Sequence, residues 1–290
     1  MRKTAYVVFN PASGSYSRQK AERILEALRR GGITPEVLLP RSVNEAIEVV
    51  HRLCQAEEQP LIIAVGGDGT INTVLNGMLP QRATLGVIPL GTANVLAWEL
   101  GIRSIDAAIG QIVHGRPHTF SVGEATSTAG TRRFLLMAGI GLDAAAVAGV
   151  RPAEKACLGK LGYLLSGLRQ LRDWDRSTMT VSDGQRSMVC HSVVACNASH
   201  YAGPYRLAPQ ATIFTPRLEV VPLNLPTRRS FIRVAFGLVL TGRPPASAGW
   251  HLACGQLTIS GNKALQLDGD PFGSGPVTIR LIPNFNRLLC

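Results

Sequence analysis

Short apolar runs alternate with helix-like segments over the first 100 residues. Strands are predicted at residues 6–9, 36–39, 61–65 and 85–89. The run at 61–65 is apolar at every position, as in a strand buried on both faces of a parallel sheet. Apolar residues three to four positions apart predict helices at 18–30, 43–54, 70–79 and up to about residue 100. This β-α-β-α order predicts a doubly wound, Rossmann-like parallel sheet.

The pattern changes after about residue 120, where β-rich runs follow one another with turns between them. Strands are predicted at residues 134–140, 179–182, 188–197, 218–221, 257–259, 264–267 and 277–282, and helices at 160–172 and 230–240. Many short strands at this spacing favour an antiparallel β-sandwich. We therefore predict an α/β domain at 1–122, to which a C-terminal segment at about 283–290 can return. A mainly antiparallel β-sandwich domain would span 123–282.

Composition and charge exclude several classes of protein. A hydrophobic fraction of 46% in 290 residues excludes wholesale disorder. The apolar run at 234–242 is too short to cross a bilayer, which takes about 20 residues. None of the six cysteines has C-x-x-C spacing, so reduced thiols in a cytoplasmic protein are expected.

The charge is concentrated in the second half of the chain. Residues 146–290 contain 16 basic and 7 acidic residues, whereas residues 1–145 contain 14 and 12. This excess is typical either of a solvated surface or of a surface that contacts an anionic partner. Membrane headgroups are favoured over nucleic acid, because the aromatic fraction is only 6% and the aromatic residues are not interleaved with basic ones.

The strongest chemical signal is the loop Gly66-Gly67-Asp68-Gly69-Thr70, between the run at 61–65 and a predicted helix. Glycines let the backbone approach a ligand, and the N-terminus of the next helix attracts anions. Asp68 would repel a bare phosphate, so we expect it to act through a Mg2+ ion that a nucleotide brings. Similar loops at 10–14 and 91–94 follow other strands, and the three together predict a nucleotide-phosphate site. Neither a P-loop nor a G-x-G-x-x-G motif is present.

These loops resemble the diacylglycerol kinase catalytic-domain family, which includes bacterial lipid kinases and sphingosine kinases. The resemblance rests on Asn-Pro-x-Ser-Gly from Asn10, Gly-Gly-Asp-Gly-Thr-x-Asn from Gly66 and Leu-Gly-Thr-x-Asn from Leu90. It continues through segments 138–144, 159–163 and 207–211 to Leu-Asp-Gly-Asp-Pro at 267–271, so it covers nearly the whole chain. The Gly-Gly-Asp-Gly loop alone is shared with NAD kinases.

The resemblance implies a lipid kinase that transfers the γ-phosphate of Mg-ATP to a lipid hydroxyl, most simply that of diacylglycerol or a related lipid. It implies ATP contacts from a set of loop residues, with Asp68 also binding Mg2+. These residues are Asn10, Pro11, Ala12, Ser13, Gly14, Gly66, Gly67, Asp68, Gly69, Thr70, Ile71, Asn72 and Thr92. Such an enzyme would be cytoplasmic and would meet its lipid transiently at the membrane surface, with a homodimer as one option for its assembly.

The family's Asp-Gly-Glu motif falls on Asp268-Gly269-Asp270. The resemblance implies that Asp270 is the catalytic proton acceptor, with Asp268 as the other candidate. Phosphoryl transfer does need a carboxylate near the attacking hydroxyl. Asp-Gly is also a common β-turn pair, so a purely structural role stays open.

The sequence departs from the family pattern at several positions. Asp270 replaces the usual Glu, Val95 an Asp, and Ser121 another Asp. The segment 214–216, Phe-Thr-Pro, replaces Asp-Asp-Gly, which puts a structural Mg2+ site there in doubt, and residues 40–42 lack an expected Thr. The alternatives are a sphingoid-base kinase, an NAD-kinase-like kinase of a soluble substrate, and a catalytically silent lipid- or nucleotide-binding protein.

Overall fold

A computed structural model describes residues 3–10, 16–149, 175–224, 226–230, 232, 233, 237 and 252–290. The chain divides into two compact units, unit 1 at 1–121 with 284–290 and unit 2 at 122–283. The limits predicted from the sequence differ from these by one residue at each boundary. The predicted helix at 160–172 and the loop residues Pro11 to Gly14 lie outside the described residues.

Unit 1 alternates strands with helices. Its elements are β1 (Lys3–Phe9), α1 (Arg18–Arg30), β2 (Ile33–Leu38), α2 (Val43–Ala56), β3 (Leu61–Gly66), α3 (Asp68–Gly77), β4 (Thr84–Pro89), α4 (Val95–Glu99) and α5 (Ile105–His114). Serine residues form the N-caps of three of these helices. Ser17, Ser42 and Ser104 accept hydrogen bonds from the backbone N–H groups of Lys20, Glu45 and Ala107.

The strands of unit 1 form one parallel sheet in the order β2-β1-β3-β4. Val7 of β1 lies opposite Val37 of β2 on one side and Ile63 of β3 on the other. All six residues of β3 are buried, because helices cover both faces of the sheet. This arrangement confirms the predicted α/β class and brings the carboxyl ends of β1, β3 and β4 to one edge.

The C-terminal residues return to unit 1. The last strand, β18 (Val277–Leu289), ends beside β4, with Arg287 opposite Thr84 in parallel register. Asn286 fixes this return, since its buried side chain accepts a hydrogen bond from the Ala83 N–H and donates one to the Leu79 carbonyl.

Unit 2 consists mainly of short antiparallel strands. They are β5 (Pro117–Ser127, whose first five residues belong to unit 1), β6 (Gly130–Phe134), β7 (Met137–Ile140), β8 (Met179–Ser182), β9 (Ser187–Cys190), β10 (Ser192–Cys196), β11 (His200–Tyr201), β12 (Tyr205–Arg206), β13 (Leu218–Leu223), β14 (Leu252–Cys254), β15 (Gln256–Ser260), β16 (Ala264–Leu267), β17 (Asp270–Ser274) and the first half of β18. One short helix, α6 (Leu142–Ala148), follows β7.

The antiparallel strands of unit 2 form two layers, which confirms the predicted β-sandwich. One layer has the order β14-β13-β10-β7-β16-β17, and the other contains β18-β15-β8-β9 with β5 and β6. Alternate residues of each strand enter the core, such as Leu257 and Ile259 of β15 and Leu265 and Leu267 of β16. The described helices include none that is long and apolar enough to cross a membrane.

Two strand predictions in unit 2 are wrong in their length. The predicted strand 134–140 breaks into β6 and β7, because the N–H groups of Leu135, Leu136 and Met137 all donate to the carboxylate of Asp268. The predicted strand 188–197 breaks into β9 and β10 at His191, whose backbone N–H donates to the Leu223 carbonyl. The predicted helix at 230–240 is described only at residues 230, 232, 233 and 237, which are helical.

Candidate active site

The glycine-rich loop of unit 1 lies where β3 passes into α3. Gly67 caps the helix, and its carbonyl accepts the N–H groups of Thr70 and Ile71 at 2.9 and 3.2 Å. The N–H of Leu90, after β4, donates to the Gly66 carbonyl at 2.8 Å. The loop therefore opens at the carboxyl edge of the parallel sheet, where open α/β sheets bind ligands.

The loops after β3 and β4 touch through their backbones at Gly67 and Gly91. A Cβ atom placed on Gly91 would lie 2.5 Å from the Gly67 Cα and 2.8 Å from the Asn94 Oδ1. Such distances are far below van der Waals contact, so only glycine fits at position 91. The glycines thus bring two of the predicted phosphate loops together in one place.

Asn94 shapes the loop after β4. Its Oδ1 accepts the Gly91 N–H and its Nδ2 donates to the Gly91 carbonyl, both at 2.8 Å, while its backbone is left-handed with φ of 47°. The sequence predicted only that the loop 91–94 would take part in a nucleotide-phosphate site. The structure shows the Asn94 amide closing the turn whose tip, Thr92, is exposed.

Asp68 links α3 to α4. Its Oδ2 accepts the Val95 N–H at 3.0 Å and its Oδ1 accepts the Leu96 N–H at 3.1 Å, so the carboxylate caps the N-terminus of α4. The sequence did not predict this structural role. Val95, at the position where the family often has Asp, contributes a backbone N–H here.

A magnesium ion fits this arrangement only if phosphate oxygens supply some of its ligands. Each carboxylate oxygen has more than one lone pair, so Asp68 can still reach a hydrated ion while it caps α4. Within the described part of the chain, no three Asp, Glu, His or Cys side chains come together as metal ligands. Mg2+ commonly uses one or two carboxylates together with substrate phosphates and water, and one such carboxylate is present.

The first loop meets the second through Asn10, whose Nδ2 donates to the Thr70 Oγ1 at 3.3 Å. Asn72 lies two residues further along α3 and is 1% exposed, and its Oδ1 accepts a hydrogen bond from the Asn76 Nδ2 at 3.0 Å. Asn10 and the loop at 66–72 are therefore close neighbours. Asn72 lies inside the unit, where it supports the helix.

In unit 2 the acidic motif is a two-residue hairpin turn. Asp268 and Gly269 have φ values of 51° and 87°, and Leu267 pairs with Asp270 across the turn. Left-handed values at both turn residues are typical of the type I′ hairpin that Asp-Gly favours. The turn interpretation of the motif is therefore correct, and it places Asp270 as the first residue of β17.

Asp268 anchors the turn to the neighbouring strand. Its Oδ2 accepts the Leu135 N–H at 2.7 Å, and its Oδ1 accepts the Leu136 and Met137 N–H groups at 2.8 and 3.0 Å. Its own N–H donates to the Met137 carbonyl. Both carboxylate oxygens are thus engaged with buried backbone.

Asp270 is the more accessible acid. Its side chain is 40% exposed, and its Oδ2 lies 3.2 Å from the Arg132 Nη2 on β6. The Arg132 guanidinium also lies 6.0 Å from the centre of the Phe272 ring, which limits its movement. No local sequence pattern marks Arg132 as a site residue, because its partner is 138 positions away.

Comparisons with known proteins agree with both units. The model of the diacylglycerol kinase catalytic domain matches residues 4–125, and that of the YegS C-terminal NAD kinase beta sandwich-like domain matches residues 137–290. A diacylglycerol kinase of Bacillus subtilis is 29% identical over 242 residues, 80% of this chain and 78% of the relative.

Solved structures share the fold. That of a diacylglycerol kinase from Bacillus anthracis, described as putative, superposes with a TM-score of 0.78 over 99% of this chain and 96% of its own, at 22% identity. Yeast NADH kinase, solved with NADH, is more distant, with a TM-score of 0.51 and 11% identity over the whole chain and 84% of its own.

The fold defines a class of two-unit proteins with one parallel-sheet unit and one β-sandwich unit. The matches to both family models narrow this class, because together they cover nearly the whole sequence. The chain belongs to the diacylglycerol kinase catalytic-domain family. It is a lipid kinase with ATP as co-substrate, as the resemblance implied.

Proposed function

We propose that this enzyme phosphorylates the free hydroxyl of diacylglycerol or a closely related glycerolipid at a membrane surface. The observation that carries the choice of lipid is the 29% identity to the Bacillus subtilis diacylglycerol kinase over most of both chains. The NAD-kinase-like alternative has much weaker support, since its representative is only 11% identical.

Unit 1 would bind the phosphates of ATP with the loops after β1, β3 and β4. Support comes from the contacts among Asn10, Thr70, Gly67 and Gly91, which bring these loops to one edge of the sheet. The N-terminus of the ten-residue helix α3 adds a favourable field for anions. Thr92, at the exposed tip of the third loop, would contribute a hydroxyl, and residues 11–14 would complete the first loop.

Asp68 would hold a hydrated Mg2+ ion that arrives with ATP, while it continues to cap α4. When bound, such an ion neutralises charge on the phosphates and on the transition state of phosphoryl transfer. The contribution of the chain is the carboxylate itself, kept in one orientation by the Val95 and Leu96 N–H groups.

Asp270 would act as the general base. The lipid hydroxyl oxygen forms a bond to the γ-phosphorus, the bond from that phosphorus to the bridging oxygen of ADP breaks, and Asp270 accepts the hydroxyl proton and later releases it to water. The 40% exposure of its side chain supports this role, because a substrate can reach the carboxylate. Asp268 is the weaker candidate, since three backbone N–H groups already occupy its oxygens.

The enzyme must bind such a lipid at the membrane surface. Residues 146–290 have nine more basic than acidic side chains, and basic segments are attracted to anionic headgroups by about 1 kcal/mol per residue near the surface. Arg228 and Arg229 are exposed, and so is Ile232. This part of the surface therefore presents positive charge next to an apolar side chain. We propose transient attachment through this surface.

The test is a substrate panel with purified protein and γ-labelled ATP. Diacylglycerol and a sphingoid base are supplied in mixed micelles, and NAD is supplied in solution, each with and without Mg2+. We expect labelled phosphate in the diacylglycerol product alone and only with the metal. Label in NAD or in the sphingoid base would contradict the proposed substrate, and ATP binding without any labelled product would identify a silent binding protein.

A further inference from the structure

The Asp268–Gly269 turn is held by a buried polar network that has no role in the mechanism proposed above. Asp143 lies in the first turn of α6, and its Oδ1 accepts a hydrogen bond from the hydroxyl of Tyr201 on β11. Its Oδ2 accepts the Nε2 of Gln266, on β16, at 2.7 Å. Gln266 is 1% exposed, so its amide depends on protein partners.

Gln266 also makes a hydrogen bond to the turn. Its Oε1 accepts the Gly269 N–H at 2.7 Å, so the two ends of one amide join Asp143 to the residue before Asp270. Asp268 holds the same turn from its other side through the N–H groups of residues 135–137. The turn is therefore held at Gly269 by the Gln266 side chain and at Asp268 by the backbone of the neighbouring strand.

The neighbouring strand leaves room for this network. A Cβ atom on Gly139 of β7 would overlap the Asp143 Oδ2 and would lie 2.7 Å from the Gln266 Nε2. Burial raises the pKa of the Asp143 carboxyl even though Tyr201 and Gln266 donate to it. Replacing both partners of a buried hydrogen bond with apolar groups of the same shape can be nearly neutral or stabilising, so fold stability alone does not account for the Asp143–Gln266 pair.

We propose that Asp143 and Gln266 are positioning residues, which orient the Asp268–Gly269 turn and so direct the Asp270 carboxylate toward the lipid hydroxyl. This inference rests on the proposed function, in which Asp270 is the base. A shift of about 1 Å in a reacting group can cost on the order of 100-fold in rate, so a loosened turn would lower kcat while ATP and lipid still bind.

The test is a set of variants compared for kcat, for the KM of ATP and of diacylglycerol, and for the urea midpoint. Gln266→Met keeps the side-chain length but removes both hydrogen bonds, and we expect kcat to fall about tenfold or more with each KM within about twofold. Ser192→Ala is the matched control. It removes another buried hydrogen bond of the same sheet, from the Ser192 Oγ to the Ile140 carbonyl at 2.7 Å, and should keep kcat even if its midpoint falls equally.

A role swap gives a second readout that does not depend on stability alone. Gln266→Glu places two carboxyl groups face to face, so we expect a low kcat. Adding Asp143→Asn restores a donor opposite the new carboxylate, while Gly269 still donates to its other oxygen, so kcat should recover to within about threefold of the wild-type value.

The outcomes separate the two proposals. Wild-type kcat in Gln266→Met, or no recovery in the double variant, would overturn the positioning role if Asp270→Asn is inactive in the same assay. Wild-type kcat in Asp270→Asn would instead reject Asp270 as the base, and with it the proposed mechanism.

Discussion

The hydrogen bonds of Asp268 predict that this acid stabilises the fold, while Asp270 serves the reaction. The informative change is Asp268→Asn, which keeps the shape of the side chain. Asn tolerates the left-handed φ of 51°, so the substitution leaves the backbone of the turn without strain. It leaves one carbonyl oxygen for two of the three N–H donors and points an NH2 group at the third.

The expected magnitude follows from these contacts. One hydrogen bond to a charged acceptor is lost, worth about 1.5–3 kcal/mol, and the buried Leu135 N–H loses its acceptor at a cost of about 1–3 kcal/mol. Because the two terms overlap, we expect a loss of about 3 kcal/mol. Asp270→Asn removes only a half-exposed ion pair with Arg132, for which about 0–1 kcal/mol is typical.

The assay is urea unfolding followed by circular dichroism, together with kcat for lipid phosphorylation. With slopes of about 2–3 kcal/mol per molar urea, Asp268→Asn should lower the midpoint by about 1 M. Asp270→Asn should leave the midpoint nearly unchanged and lose turnover. A wild-type midpoint in Asp268→Asn with turnover abolished would refute the assignment and make Asp268 the catalytic acid.

Three further predictions concern other parts of the molecule. Gly91→Ala forces its Cβ against Gly67 and should weaken ATP binding at least tenfold by calorimetry, whereas Gly110→Ala in the same unit, where a Cβ meets no atom, should bind ATP normally. Burial raises the pKa of Asp143, so the wild-type protein loses stability as the pH rises and this carboxyl ionises. Asp143→Asn lacks the ionising group, so its unfolding free energy relative to that of the wild type should increase from acidic to neutral pH. A difference between the two proteins that does not change with pH would contradict this. Burial raises the pKa of the half-exposed Cys254 thiol to about 11, so at pH 8 iodoacetamide should label it roughly 100-fold more slowly in the folded than in the urea-unfolded protein, as read by peptide mass spectrometry; equal rates would contradict the pKa.

Hydrophobic patterning predicted the architecture because each unit buries strands in a regular way. The apolar run at 61–65 forms all of β3 except its last residue, and the alternation of Leu257 and Ile259 matches the inward face of β15. The helix α5 was overlooked although its signal is present, since Ser104 is a suitable N-cap and Ala108, Ile109 and Ile112 share one face.

The loops of the site could be predicted from the sequence, but the contacts made by its side chains could not. Glycine-rich motifs and the Asp-Gly pair are local signals, so the loops at 66–70 and 268–269 could be recognised from the sequence. The acceptor role of Asp268 toward residues 135–137 and the pairing of Arg132 with Asp270 join residues more than 130 positions apart. Only the fold brings such residues together, and the break between β6 and β7 was missed for the same reason.

The most direct test of the central claim is a single-turnover measurement with Asp270→Asn. Enzyme in excess over labelled ATP and Mg2+ is mixed with diacylglycerol micelles, and ATP affinity is measured separately on the same preparation. The matched control is Asp183→Asn, another turn aspartate of unit 2, which is half-buried and accepts a hydrogen bond from the Gln185 N–H. The account predicts wild-type ATP affinity for both variants and a transfer rate at least about 100-fold lower for Asp270→Asn alone. Transfer by Asp270→Asn at the rate of the Asp183→Asn control would contradict it.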